Sequence, residues 1–172
     1  MKIRKLIDKK SISIKISELA KKIYIDFKNQ SFIILSILNG SFIFTADLAR
    51  ALSEFTDNFQ VNFVRLKSYE NFNSSGKIMW NDSLPNIKGK NVLILDDIFD
   101  TGLTLKTFCK AVKEQEPDIV KTAVLLIKDG ATANGVTIDY HCFKIPDKFV
   151  VGYGLDFNEK YRGLPYIGVL EQ

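Results

Sequence analysis

Three carboxylates stand close together in residues 92–104, and they are the side chains with the clearest chemical potential. Asp96 and Asp97 follow an apolar run, and Asp100 comes three residues later. The loop then continues with Thr101, Gly102, Leu103 and Thr104, of which the two threonines can donate hydroxyl hydrogen bonds to a phosphate. The pattern predicts a buried strand, a short acidic loop and a helix that begins directly after it.

Each part of this segment suits one part of a ligand. A helix N-terminus presents backbone N–H groups to a phosphate, and Gly102 lets the backbone come close. Asp96 and Asp97 would repel a phosphate, but they suit sugar hydroxyls or a hydrated Mg²⁺. A ligand of the ribose 5-phosphate type fits this combination. The alternative is that the acids only cap the helix, although three mutually repelling carboxylates are not needed for a cap.

Other common sites fit the sequence poorly. It contains neither a GxGxxG dinucleotide fingerprint after a strand nor a GxxxxGK[ST] phosphate loop. The only histidine is His141, which disfavours a Ser-His-Asp triad and a His-rich metal site. We expect His141 to be a core or edge-strand residue.

The elements that must position the acids alternate between strands and helices. The predicted strands are residues 32–38, 59–67, 91–95, 119–127, 149–153 and 166–170. The predicted helices are one capped by Ser13, residues 42–52 and residues 104–114. This order predicts an α/β fold with a mostly parallel sheet of about five strands flanked by helices. Ligands of such sheets bind beyond the carboxyl ends of the strands. That rule points to Asn39–Gly40, to the segment after Leu95 and to Lys128–Asp129.

Composition limits the class of protein. The chain has 172 residues, a size typical of a single domain, with 46% hydrophobic and 26% charged residues, which excludes a disordered or fibrous protein. The apolar stretch 32–44 is interrupted by Ser36 and residues 39–41, so no membrane span is expected.

The net charge is only +4, and the basic block 2–22 is typical of a solvated helix face, so no nucleic-acid partner is expected. Two cysteines without a secretory signal predict reduced thiols and a cytoplasmic protein.

Residues 95–104 resemble the phosphoribosyl-pyrophosphate (PRPP) motif of the type I phosphoribosyltransferases. The rest of the chain resembles the hypoxanthine-guanine branch of that family. Residues 37–48 are similar to its pyrophosphate loop and following helix, and residues 66–71 to its mobile lid. Residues 144–158 are similar to its purine-binding segment, and residues 161–164 to the adjoining tail. The resemblance implies one phosphoribosyltransferase domain over residues 1–172, a small hood built from the two termini and a flexible flap at about 68–82.

The resemblance implies transfer of 5-phosphoribosyl from PRPP to hypoxanthine or guanine, giving IMP or GMP and pyrophosphate. Asp100 would take the proton from N7 of the purine. Asp96 and Asp97 would hold the ribose diol and its Mg²⁺. The 5′-phosphate would be bound by Thr101, Gly102, Leu103 and Thr104. Pyrophosphate would be bound by Asn39, Gly40 and Arg162.

The purine would be held by the segment near the tail. Lys128 would bind the purine O6, Phe149 would stack on the ring, and the Val150 backbone would contact its edge. Asp156 would serve a second part of the Mg²⁺ site or the purine 2-position, and Ser68 and Tyr69 would belong to the lid. Lys128 could instead simply reach solvent, Phe149 and Val150 could be core residues, and Arg162 could be an exposed surface residue.

The sequence departs from the family pattern at two positions. Relatives usually carry Glu then Asp where this chain has Asp96 and Asp97, and many carry Lys where it has Asn39. We therefore expect the pyrophosphate loop to act through its backbone, with Asn39 serving geometry more than charge.

Family members are homodimers or homotetramers, and the same is expected here. Two other functions remain open from the sequence. One is a xanthine-preferring enzyme of the same fold, and the other is a non-catalytic regulator of this fold that binds nucleotide and RNA.

Overall fold

The computed structural model describes residues 2–28, 30–66, 84–131 and 135–171. Within these residues the chain forms eight strands and three helices. In chain order the elements are β1 (Lys2–Ile7), α1 (Lys9–Asp26), β2 (Phe32–Leu38), α2 (Phe42–Leu52), β3 (Phe59–Arg65), β4 (Asn91–Phe99), α3 (Leu103–Lys113), β5 (Ile119–Lys128), β6 (Tyr140–Ile145), β7 (Val150–Val151) and β8 (Ile167–Glu171). The predicted flap at 68–82, with Ser68 and Tyr69, lies outside the described residues.

A five-stranded parallel sheet forms the centre of the fold. Its strand order is β3-β2-β4-β5-β6, with β4 at the centre between β2 and β5. The predicted mostly parallel sheet of about five strands flanked by helices is therefore confirmed. Strand β6 was not predicted, because its sequence, YHCFKI, mixes polar and apolar residues without a clear alternation.

Helices cover both faces of this sheet, which explains why the central strands are apolar at nearly every position. On β4, Leu93 and Leu95 face α1 and α2, whereas Val92 and Ile94 face α3. A strand that is buried on both faces delivers the next residues of the chain to a fixed place at the edge of the sheet. Strand β4 itself carries Asp96 and Asp97 and ends at Phe99, directly before Asp100, so it is longer than the predicted 91–95.

A second, antiparallel sheet joins the two ends of the chain in the order β1-β8-β7. Lys2 pairs with Glu171, and Val150 pairs with Val169. This is the predicted hood. The prediction that the basic block 2–22 is one helix face is wrong for its first part, because residues 2–7 find a strand partner at the opposite end of the chain.

The start of α1 also differs from the prediction. The N-cap is Asp8, whose carboxylate accepts a hydrogen bond from the Ser11 N–H at 2.9 Å, and Ser13 lies inside the helix. An aspartate is as good a cap as a serine, so the helix begins at the earlier of the two capping residues. No helix among the described residues is long and apolar enough to span a bilayer.

Candidate active site

The N-terminus of α3 forms one wall of the candidate site. Gly102 precedes the helix with φ of 69°, a left-handed conformation that favours glycine, and it offers no side chain to cap the first turn. The Leu103 N–H donates only a long hydrogen bond, of 3.5 Å, to Thr101 Oγ1. The N-cap of α3 is a glycine where that of α1 is Asp8, and neither helix carries an acidic residue in its first turn. A pocket of about 270 Å³ lies against this end of the helix and is lined by residues 96–105. A helix N-terminus beside a pocket is suited to an anion.

Asp96 and Asp97 lie at the end of β4, close to the pocket. Asp96 is only 8% exposed, and its carboxylate accepts a hydrogen bond from the Asp97 N–H at 3.0 Å. The Asp97 carboxylate accepts one from the Ile98 N–H at 2.9 Å. Burial raises the pKa of both carboxyl groups, and the charge of Asp97 raises that of Asp96 further. Burial thus disfavours the charged form of both groups.

The loop after β2 packs directly against Asp97. A Cβ atom on Gly40 would lie 1.6 Å from Oδ2 of Asp97, so only glycine leaves room for that carboxylate in its present position. The Leu38–Asn39 peptide bond is cis. The Asn39 side chain turns to Arg65, whose Nη2 donates a hydrogen bond to Asn39 Oδ1 at 3.1 Å.

Three buried hydroxyl groups anchor this loop. Ser36 Oγ shares hydrogen bonds with Ser41 Oγ at 2.6 Å and with Thr45 Oγ1 at 2.7 Å, and the Ser41 hydroxyl donates to the Ile37 carbonyl. These bonds join β2, the loop and α2. The sequence analysis did not identify this cluster, although a serine in the middle of an otherwise apolar strand was its signal.

Lys128, at the end of β5, makes two ion pairs. Its Nζ lies 2.8 Å from Oδ2 of Asp100 and 3.2 Å from Oδ1 of Asp147, and the side chain is only 14% exposed. The hydrogen bond to Asp100 raises the pKa of Lys128. Lys128 therefore does not simply reach solvent. Asp147 was not identified from the sequence, because it lies in a loop with no chemical pattern of its own.

The tail contributes Arg162 to the same region. Its Nη1 donates to the Gly154 carbonyl at 2.9 Å, and its Nη2 lies 2.9 Å from Asp156 Oδ1 and 3.0 Å from Glu159 Oε2. With 19% of its side chain exposed, Arg162 is not a free surface arginine. Its charge acts to lower the pKa of Asp97, against the stronger effect of burial.

Asp156 is held by its own loop, with Oδ2 accepting a hydrogen bond from the Glu159 N–H at 2.9 Å. Across the described parts of the chain, no group of three His, Cys, Asp or Glu side chains is arranged to hold a metal ion. The role of Asp156 in a second part of the Mg²⁺ site or at the purine 2-position stays a prediction.

The two residues predicted to contact a purine differ in exposure. Phe149 is 53% exposed and meets Phe157 edge to face, with ring centroids 5.7 Å apart. Val150 is 5% exposed and pairs with Val169 in the hood sheet. Phe149 is therefore not a core residue and presents an open ring surface, whereas the Val150 side chain belongs to the core.

The structure brings several of these distant segments into direct contact. A Cβ atom on Gly154 would lie 2.0 Å from the Gly40 carbonyl oxygen, so the tail segment touches the loop that packs on Asp97. Gly154 was not predicted as a site residue. Its positive φ of 103° is a property of the folded chain that its position in the sequence did not indicate.

Comparison with known proteins agrees with this geometry. Residues 4–158 match the family model described as the phosphoribosyl transferase domain. The chain is 40% identical to the hypoxanthine-guanine phosphoribosyltransferase of Dictyostelium discoideum, over 95% of this chain and 92% of that protein.

Two solved structures of the Trypanosoma cruzi hypoxanthine phosphoribosyltransferase are also similar. One is a mutant in a ternary complex with substrates, with a TM-score of 0.91 and 38% identity over 98% of this chain and 95% of that one. The other concerns the role of the C-terminal region of that enzyme in its oligomeric state and enzymatic activity. It has a TM-score of 0.90 and is 37% identical, over 98% of this chain and 91% of that one. From the matched motif, the shared fold and these similarities together, the chain belongs to the phosphoribosyltransferase family.

Proposed function

We propose that this protein is a purine salvage enzyme that transfers 5-phosphoribosyl from PRPP to hypoxanthine or guanine. The products are IMP or GMP and pyrophosphate. The observation that carries the proposal is the pairing of Lys128 with Asp100 at 2.8 Å, beside a helix N-terminus whose N-cap is a glycine. One end of such a site suits a phosphate, and the other offers a donor and an acceptor to neighbouring atoms of a purine.

Lys128 and Asp100 match one edge of a 6-oxopurine. The Lys128 ammonium donates a hydrogen bond to O6, and Asp100 accepts the proton that N7 must lose when the glycosidic bond forms. Because Asp147 also binds Lys128, the lysine keeps a carboxylate partner when Asp100 turns to the purine. Phe149 stacks on the ring, and the Val150 backbone contacts its edge.

The remaining residues hold PRPP. The backbone N–H groups of residues 101–104 bind the 5′-phosphate at the start of α3, and Thr101 and Thr104 add hydroxyl donors. The backbone of Asn39 and Gly40 binds the pyrophosphate group, assisted by the Arg162 guanidinium. The reaction passes through a ribosyl cation-like state, so these residues act mainly by orienting the reactants and stabilising charge.

Asp96 and Asp97 suit a magnesium ion. Burial raises the pKa of both carboxyl groups, and the charge of Asp97 raises that of Asp96 further, so the ionised pair gains from a nearby cation. Mg²⁺ is usually bound by one or two carboxylates together with water and substrate phosphates. Asp96 and Asp97 would hold the ion together with the ribose hydroxyls, and Asp156 lies on the pyrophosphate side. When bound, the ion neutralises charge on PRPP.

Removal of divalent cations should abolish turnover. We expect EDTA to stop pyrophosphate release and an excess of Mg²⁺ to restore it. Calorimetry should show PRPP binding at least about tenfold weaker without Mg²⁺, because its phosphates then meet two uncompensated carboxylates. Unchanged PRPP affinity in EDTA would contradict the role of Asp96 and Asp97.

Substitutions in the pyrophosphate loop should show whether its backbone or the Asn39 side chain binds the pyrophosphate group of PRPP. Asn39→Ala should change the KM for PRPP only about two- to threefold, since it removes one exposed hydrogen bond to Arg65. Gly40→Val should raise that KM about 30-fold, because its side chain displaces the Asp97 carboxylate and the adjoining backbone. The reverse order of effects would show that the Asn39 side chain is the ligand.

A panel of bases tests the proposed function directly. The protein is mixed with PRPP, Mg²⁺ and hypoxanthine, guanine, xanthine or adenine in turn, and pyrophosphate is measured. We expect release with hypoxanthine or guanine. Release with xanthine alone would identify the xanthine-preferring alternative. If none of the four bases leads to pyrophosphate release, and the protein binds RNA that PRPP displaces, the protein is the non-catalytic regulator.

We also propose that the protein is cytoplasmic and forms a homodimer or homotetramer. Its two cysteines, Cys109 and Cys142, are buried free thiols, as expected in a reducing compartment. Oligomeric state is a studied property of the Trypanosoma cruzi relative. Sedimentation analysis of the purified chain tests the assembly, and a monomer at micromolar concentration would contradict it.

A further inference from the structure

We propose that a hydrogen bond between Tyr153 and Asp47 positions the pyrophosphate loop, defined here as residues 39–41. The proposal rests on the proposed function and adds two positioning residues to it. Tyr153 is only 5% exposed, and its hydroxyl donates a hydrogen bond to Oδ2 of Asp47. Asp47 lies on α2, the helix that begins immediately after the loop.

Asp47 belongs to a firmly held element. Two nearby residues of the helix, Phe44 and Leu48, are fully buried in the core. The hydroxyl cluster of Ser36, Ser41 and Thr45 further ties α2 to β2. Asp47 is therefore a fixed point from which a side chain of another segment can be held.

Tyr153, in contrast, stands in a segment of irregular backbone. Its φ is 52°, and its neighbours Gly152 and Gly154 also have positive φ. The backbone N–H groups of residues 152–155 pair within this segment and with the tail, whereas the Tyr153 side chain supplies a hydrogen bond that joins the segment to α2. The Tyr153 N–H donates to the Leu164 carbonyl at 2.8 Å, which holds the backbone but not the ring.

The next residue, Gly154, contacts two parts of the candidate site. The Gly154 backbone lies against the Gly40 carbonyl, where not even a methyl group would fit. Gly154 also exchanges two hydrogen bonds with Arg162, each 2.9 Å long: its N–H donates to the Arg162 carbonyl, and its carbonyl accepts from Nη1. Holding Tyr153 therefore holds both proposed pyrophosphate-binding groups, the loop and Arg162.

The purine-binding end of the same segment is fixed in another way. Val150 and Val151 pair with Val169 and Gly168 in the hood sheet. Loss of the Tyr153 hydroxyl should consequently loosen the pyrophosphate end while the purine end keeps its position. This asymmetry separates a positioning role from a general loss of stability.

The main experiment compares Tyr153→Phe with a matched control, Tyr140→Phe. Tyr140 is 2% exposed and donates its hydroxyl to Asp26 at 2.8 Å, so it makes an equivalent buried bond, between β6 and α1, outside the candidate site. We expect Tyr153→Phe to raise the KM for PRPP, and for pyrophosphate in the reverse reaction, about five- to tenfold, with the hypoxanthine KM changed less than about twofold. Tyr140→Phe should leave all three KM values within about twofold of wild type. It should lower Tm by about as much as Tyr153→Phe does.

Variants of the partner residue test the same bond from its other side. Asp47→Asn keeps an acceptor for the Tyr153 hydroxyl and should behave nearly as wild type, whereas Asp47→Ala should reproduce Tyr153→Phe. Asp47 also forms an ion pair with Arg50 at 2.7 Å, and Arg50→Ala removes that pair alone. Because Arg50 is 77% exposed, its loss should leave the PRPP KM unchanged.

Two results would overturn the proposal. One is a PRPP KM in Tyr153→Phe equal to that of Tyr140→Phe, and the other is an equal rise in the KM values for PRPP and hypoxanthine. Either would make Tyr153 a structural residue only. Failure of the proposed function is distinguishable, since wild-type protein would then release no pyrophosphate with any base.

Discussion

Replacing Asp100 with Asn should lower turnover about 10²-fold or more while weakening PRPP binding only modestly. Asparagine keeps the size of the side chain but cannot accept a proton. The Asp100 side chain is half exposed and paired with Lys128 at 2.8 Å, so the substitution removes an ion pair without opening a cavity in the core. Single-turnover kinetics under saturating substrates would measure the chemical step without contribution from product release.

Asp147→Asn is the matched control for this variant. It removes the other carboxylate bound to Lys128, at 3.2 Å, and Asp147 is more exposed than Asp100. We expect only a few-fold loss of turnover, because one ion pair to Lys128 remains. Equal losses in the two variants would assign the effect to the position of Lys128, and near wild-type turnover in Asp100→Asn would exclude Asp100 as the base.

Adenine should be a very poor substrate, with kcat/KM at least about 10³-fold below that of hypoxanthine. The Lys128 ammonium has only donors, and the 6-amino group of adenine presents another donor where hypoxanthine presents an acceptor. With 14% of its side chain exposed and two carboxylates holding it, Lys128 cannot turn away into solvent. The mismatch would leave the Lys128 ammonium facing an N–H group. Coupled measurements of pyrophosphate give both constants.

The Lys128→Gln variant tests whether this residue sets the selectivity. Glutamine has a carbonyl oxygen that can accept from the adenine amino group, so the ratio of the two kcat/KM values should narrow by at least about tenfold. Lys144→Gln makes the same change of charge at an exposed position on β6 and should leave the ratio unchanged. Comparable use of adenine and hypoxanthine by the wild-type protein would contradict the assignment of Lys128.

Much of the site could be predicted because its residues lie in one local pattern. Residues 91–104 form a strand, a loop and a helix in uninterrupted order, and hydrophobic burial of the strand alone fixes which way the acids emerge. Lys128 could be identified for a related reason, since a lysine that ends an apolar strand must find a partner or solvent. The sequence did not indicate that its partners are Asp100 and Asp147.

Several features that the sequence did not indicate depend on contacts between distant segments. Strand β1 exists because it pairs with β8 at the other end of the chain, and nothing in KIRKLI by itself requires a strand. The packing of Gly154 on Gly40 and the bond from Tyr153 to Asp47 likewise join segments more than 100 residues apart.

Local sequence is enough to specify the alternating elements, the acidic loop at the end of β4 and the glycine that opens α3, because burial and backbone conformation act over a few neighbouring residues. Folding in three dimensions was needed to establish which loops meet at the edge of the sheet. It set Lys128 against Asp100, and Gly40 between Asp97 and Gly154. Those contacts arise from the strand order and from close packing of the folded chain, and neither is encoded in the spacing of residues along the sequence.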